Sequence, residues 1–155
     1  MELPRHNLPM NRFESLAALH DFNEPHVAAI RESLNLLVPR MGELVASFDA
    51  ALKRSAAHAE FPGLEGERRE QLQSLMASFI LRTVNCTFDE AFCEFANEVA
   101  ARPEVPRGFF AIGLFAAQDF VCRVLPTVQR DQSRLSEMLV AWNRLTAVLT
   151  ELTRQ

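Results

Sequence analysis

Residues 98–110 read EVAARPEVPRGFF, and the two prolines in that stretch, Pro103 and Pro106, divide two helical patterns. Upstream, Phe88, Phe92, Phe95 and Val99, with Ala100 beside them, recur at the three- and four-residue steps of one helix face. A proline lacks the backbone N–H that a helix interior needs, so Pro103 ends that segment. Pro106 is tolerated in a first turn and opens a long helix to Val128. That helix carries Phe109, Phe110, Ile112, Leu114, Phe115, Phe120, Val121, Val124 and Leu125. It is apolar nearly all round, which predicts a central position.

Working outward, the same periodicity holds almost throughout and no strand-like alternation is present, so the chain reads as all-α. A short helix is expected over Arg12–His20. Asp21 followed by Glu24 has the form of a capping box, with Pro25 in the first turn, and opens a helix to Leu37 that Pro39 interrupts. Met41–Ala57 sets Leu44, Val45, Phe48, Ala51 and Leu52 along one face. Phe61, Pro62, Gly63 and Gly66 mark a break before a helix over Glu67–Val84, whose stripe is Leu72, Leu75, Met76, Phe79, Ile80 and Thr83. Thr87 and Glu90 form a second expected capping box. After a cap at Asp131 or Ser133, Leu135, Met138, Leu139, Trp142, Leu145, Leu149 and Leu152 make a seam of the kind that seeks another helix.

With 155 residues the chain suits one domain that buries a core without disulfides or metals. Residues 1–22 are expected to form an N-terminal arm and short pre-helix, and residues 23–155 the main domain. The net charge of -4 and the acidic residues interrupting Arg68 and Arg69 predict no nucleic-acid footprint. Uninterrupted apolar runs are too short for a membrane span. Cys86, Cys93 and Cys122 form no CxxC pair, which fits a reducing cytoplasm. Met1–Arg12, with prolines at 4 and 9, does not read as a signal peptide. Twelve phenylalanines against no tyrosine make heavy demands on packing and offer no phenolic hydroxyl.

No nucleophile elbow, phosphate loop or metalloprotease motif is present, so no enzyme is expected. His20 with His26, and His58 with Glu60, lack the spacing and company of a metal site. The run Glu65–Glu70 reads as a solvated helix start.

The segments Glu98–Arg102 with Val105, Pro106 and Phe110, Glu70–Met76, and Gly113–Pro126, in this order, resemble the globin domain of bacterial globin-coupled sensors, relatives of the protoglobins. The resemblance spans Asn23–Leu152 and implies a globin-like single domain with long last two helices. In family members with haem, the iron-binding histidine would fall at Ala100 and the distal tyrosine near Asp49, just after Phe48. Both groups are missing, and no histidine lies beyond His58. A methyl group has no lone pair for iron. The family's distal leucine corresponds to Leu72. The segment between Phe88 and Glu98 is about one turn shorter than in typical members.

An unfilled haem-sized apolar void, several hundred cubic ångströms, would cost on the order of 10 kcal/mol, comparable to a domain's whole stability. Larger side chains or another occupant are therefore expected in its place. Phe79, Phe92, Phe95, Phe109, Phe110 and Phe115 lie on the segments that surround haem in the family. The resemblance thus implies a haem-free regulatory domain without a cofactor, whose pocket equivalents are Phe48, Asp49, Leu72, Met76, Phe79, Phe92, Ala100, Phe110 and Leu114. Sensor globins dimerise through their last two helices. By that analogy residues 106–128 and 131–154 are expected to form a homodimer, with Phe115, Leu135, Met138, Leu139, Trp142, Leu145 and Leu149 at the interface. An apolar small molecule, a partner protein or an attached output module would complete the signalling unit. The alternatives are a haem-binding gas sensor with an unusual ligand, best supplied by Cys93, and a purely structural dimerisation module.

Overall fold

A computed structural model describes residues 10–56 and 66–154; His58, Glu60 and the break at 61–63 lie outside them. The described residues contain seven α-helices: α1 (Arg12–Leu19), α2 (Glu24–Leu37), α3 (Met41–Ala56), α4 (Gly66–Val84), α5 (Glu90–Ala100), α6 (Phe109–Val128) and α7 (Gln132–Leu152). A single 3₁₀ turn, Val38–Arg40, carries Pro39 between α2 and α3. No strand occurs among the described residues, as the periodicity requires.

The caps show how local chemistry sets these limits. Asn11 accepts from the Glu14 backbone at 2.8 Å, and Glu14 returns a bond to the Asn11 N–H at 3.1 Å, a reciprocal box. Asp131 accepts from Ser133 and Arg134 at 2.9 and 3.1 Å, which selects it over Ser133 as the start of α7. Two expected caps move by two residues. Asn23, not Asp21, stands before α2, and its N–H donates to His26 Nδ1 at 3.1 Å. Asp89, not Thr87, caps α5 through the Phe92 N–H at 2.9 Å. In both cases the preceding backbone is left-handed, at Asp21 (φ 51°) and Cys86 (φ 54°), and this turn delays the helix. Likewise α6 starts at Phe109, not Pro106, because Gly108 holds φ 85°, which only glycine adopts without strain.

The broadest backbone approaches between helices are α3 on α6, α2 on α7 and α6 on α7. The central position expected of α6 holds: Phe109, Phe110, Leu114, Phe120, Val121, Val124 and Leu125 are all buried. By length and average hydropathy α6 would also suit a membrane span, contrary to the expectation from uninterrupted runs. Gln118 and Asp119 interrupt the run but leave the average high. Half of that apolar window is covered by the chain itself. The α1 segment joins the same core through Phe13 and Ala17, packing against α7 and α5.

One buried hydrogen bond orients α7. Trp142 Nε1 donates to Ser33 Oγ at 2.8 Å, and Ser33 Oγ donates to the Ile30 carbonyl at 2.7 Å. The indole, 9% exposed, therefore sits inside the protomer against α2. Removing the hydroxyl strands a buried N–H, so Ser33→Ala is expected to lower unfolding stability by about 1–3 kcal/mol. In urea titrations followed by the helical circular dichroism signal, which both variants keep, Trp142→Phe should cost less than Ser33→Ala because it leaves no donor stranded, and an unchanged midpoint in Ser33→Ala would contradict the role given to this bond.

Candidate functional site

Eight phenylalanine rings form one continuous row through the domain. Phe22 meets Phe13 at 6.2 Å between centroids, Phe13 stacks on Phe88 at 4.0 Å, and Phe88 stands edge-on to Phe92 at 5.2 Å. Phe92 then meets Phe79 (6.1 Å), Phe79 meets Phe110 (5.0 Å), Phe110 meets Phe109 (5.5 Å) and Phe109 meets Phe48 (5.9 Å). The row crosses from α1 to α3 by way of α5, α4 and α6. Edge-on pairs of this kind add about 0.5–1.5 kcal/mol each beyond the area they bury. Phe95 lies outside the row and carries the Arg82 guanidinium over its face at 4.0 Å.

An apolar space among the described residues lies beside the row. A cavity of about 50 Å³ opens between α2, α3, α4, α6 and α7, walled by Leu34, Leu37, Met41, Leu44, Met76, Phe79, Ile80, Leu114, Phe120, Leu145 and Leu149 among others. By the known cost of unfilled volume, about 24 cal/mol per Å³, a void of this size costs only about 1 kcal/mol. Its few polar atoms are already engaged. Thr83 Oγ1 donates to the Phe79 carbonyl at 2.8 Å, Thr146 Oγ1 lies 2.8 Å from the Trp142 carbonyl, and Trp142 Nε1 is held by Ser33. The cavity can select only molecules that ask for no hydrogen bond.

Of the expected pocket residues, Met76, Phe79 and Leu114 reach this cavity, and the others do not. Phe48, Phe92 and Phe110 belong to the ring row, Leu72 is buried at the α4 start, and Ala100 is half-buried against the core. The space they were expected to enclose is occupied by their own side chains. Asp49 does not face the cavity, in keeping with the cost of burying an unpaired carboxylate. It points to the α4 side of α3, where Arg69 pairs with it, Gln73 Nε2 donates at 2.7 Å and Lys53 Nζ lies 3.3 Å away. The Arg69 bond, opposed by partial desolvation and aided by Lys53, holds the Asp49 carboxyl below its ordinary value.

The expected interface residues divide as well. Leu135, Met138, Trp142, Leu145 and Leu149 are buried within the protomer, so their seam is satisfied by α2 and α6 and is not open to a partner. Leu139 is half-buried, and Phe115 is 66% exposed on α6. Cys93 is buried with its thiol toward the backbone of Arg12 and Phe13 on α1, and burial pushes its titration up, favouring the neutral thiol over the thiolate that ligates metals. Among the described residues no group of three histidine, cysteine or acidic side chains is placed to hold a metal ion.

The Trp142 and Ser33 pairing was not foreseen. A serine amid the apolar positions of α2 was the available signal. Comparisons with protein-family models, curated proteins and solved structures gave no match.

Truncating the ring at the crossing of the row, Phe79→Ala, is expected to cost about 3–5 kcal/mol, whereas Leu19→Ser, at a side chain 74% exposed, should stay within about 0.5 kcal/mol. Chemical denaturation of both variants checks this, and equal effects would contradict the placement. Because the Asp49 value is depressed on folding, its contribution is full above the unfolded value and lost as pH falls through the folded one, below about pH 4. Asp49→Asn should therefore be less stable than wild type at neutral pH and show a weaker loss on acidification, measured by urea midpoints from neutral pH downward.

Proposed function

We propose that this chain is a haem-free, globin-like regulatory domain that responds to a small apolar molecule by shifting the packing of its helices. The observation that carries the reading is the ring row: the segments that resemble the haem-enclosing ones of sensor globins meet here through Phe79, Phe92 and Phe110. By the resemblance Ala100 falls where the family's iron ligand would be, and Cys93 is turned to α1. Both weigh against the haem-binding alternative.

The regulatory part of the reading rests on the cavity. It touches five helices, so an occupant that fits one arrangement of them better than another shifts the population toward that arrangement. Filling so small a void returns about 1 kcal/mol, enough for a shift of several-fold. Trp142 is both a wall of the cavity and the anchor of α7, which couples occupancy to the α2 and α7 pair. A homodimer through α6 and the flank of α7 completes the proposal. Phe115 is its exposed apolar anchor, with Leu139 beside the seam.

Titration with haemin tests the haem-free part. Broad absorbance of unspecifically associated porphyrin is the expected result, and a sharp Soret band that vanishes in Cys93→Ala would overturn it. Sedimentation tests the dimer: wild type should sediment as a dimer and Phe115→Asp as a monomer, and a monomeric wild type at micromolar concentration would remove the interface.

A further inference from the structure

We propose that the surface groove between α3 and α4 is the access route to the cavity and that the Met76 side chain is its gate. The inference rests on the reading of the cavity as a binding site and adds how that site is reached. The groove is lined by Val45 and Phe48 on α3 and by Ala77 and Leu81 on α4, and Val45 and Leu81 are large apolar residues about two-thirds exposed. Met41, Leu44, Met76, Ile80 and Val84 line the groove and the cavity both, so the two spaces are separated by a wall one side chain thick.

Met76 is the moving part of that wall. It is unbranched, with three rotatable bonds, and so rearranges at lower cost than the branched side chains beside it. Its tip fits a notch in α6. A Cβ built at Gly113 would lie 2.3 Å from Met76 Cε and 2.6 Å from Sδ, closer than atoms can approach. Gly113 has an ordinary helical backbone, so conformational freedom does not explain a glycine there. A glycine in a helix interior costs roughly 0.5–1 kcal/mol relative to alanine. Room for the thioether is the compensating reason. Among the described residues the backbone of α4 approaches α5 most broadly, and toward α3 and α6 it is side chains such as Met76 that fill the space.

The lining also fixes the class of molecule that passes. No free donor is offered, and no charge faces the cavity, so the occupant is uncharged and apolar. An apolar cavity of roughly 150 Å³ holds benzene or xenon, so a space of about 50 Å³ limits the resting site to something smaller than benzene.

Xenon is the probe. Methyl NMR spectra of wild type under xenon pressure are expected to show saturable shifts at Leu114 and Leu149, with exchange broadening that gives the rate. Met76→Ala should speed exchange about tenfold or more, the effect of a lowered barrier, while Leu149→Ala, an equal loss of bulk on the far wall, should not. Met76→Leu, which keeps the bulk and loses the flexible tip, should slow exchange and provides the test should the alanine variant fail to fold. Equal acceleration in Met76→Ala and Leu149→Ala, or no slowing in Met76→Leu, overturns the gate while leaving the cavity as a binding site. No xenon-dependent shift at the cavity methyls in wild type overturns both.

Discussion

The helices of this chain are held apart and together by a row of aromatic rings. The space between α4 and its neighbours must be filled or collapse, and it is filled with Phe79, Phe92 and Phe110 at the centre of eight contacting rings. The rings supply bulk without polar atoms, so nothing in that space needs a partner. The absence of tyrosine from the sequence is consistent with this, because a buried hydroxyl would have required one.

The row also explains why the remaining cavity is small and why it lies where it does. Filling the α4 and α5 side leaves imperfect packing where five helices converge, next to Met41, Met76 and Gly113. A void costing about 1 kcal/mol is tolerable in a domain stable by about 5–15 kcal/mol. It is also small enough that a modest occupant changes the balance between helix arrangements. The rigid element and the adaptable element are adjacent, meeting at Phe79, which is part of both.

Much of the architecture was legible from spacing. The order and type of the helices, the central place of α6 and the cap at Asp131 follow from periodicity, hydropathy and side-chain chemistry. What the residues could not reveal is which surface an apolar stripe meets. Trp142, Leu145 and Leu149 have the spacing of a seam between subunits, yet they pack inside the protomer, because periodicity specifies a face and not its partner. Asp49 turns away from the cavity for a related reason. Its neighbour Phe48 is core, but one step along a helix turns the side chain by about 100°, and the nearby Arg69 and Gln73 then claim it. The caps stand at Asn23 and Asp89 because the chain takes single left-handed residues at Asp21 and Cys86, which periodicity does not register.

Phenylalanine side chains occupy the space between α4, α5 and α6. The most direct measurement is a nuclear Overhauser spectrum of protein labelled only at phenylalanine rings. Cross-peaks linking Phe92 to Phe79 and Phe79 to Phe110 are the expected result, since these centroids lie 6.1 and 5.0 Å apart. Resolved Phe79 signals with no contact to either ring would mean that the space is open, and would contradict the account.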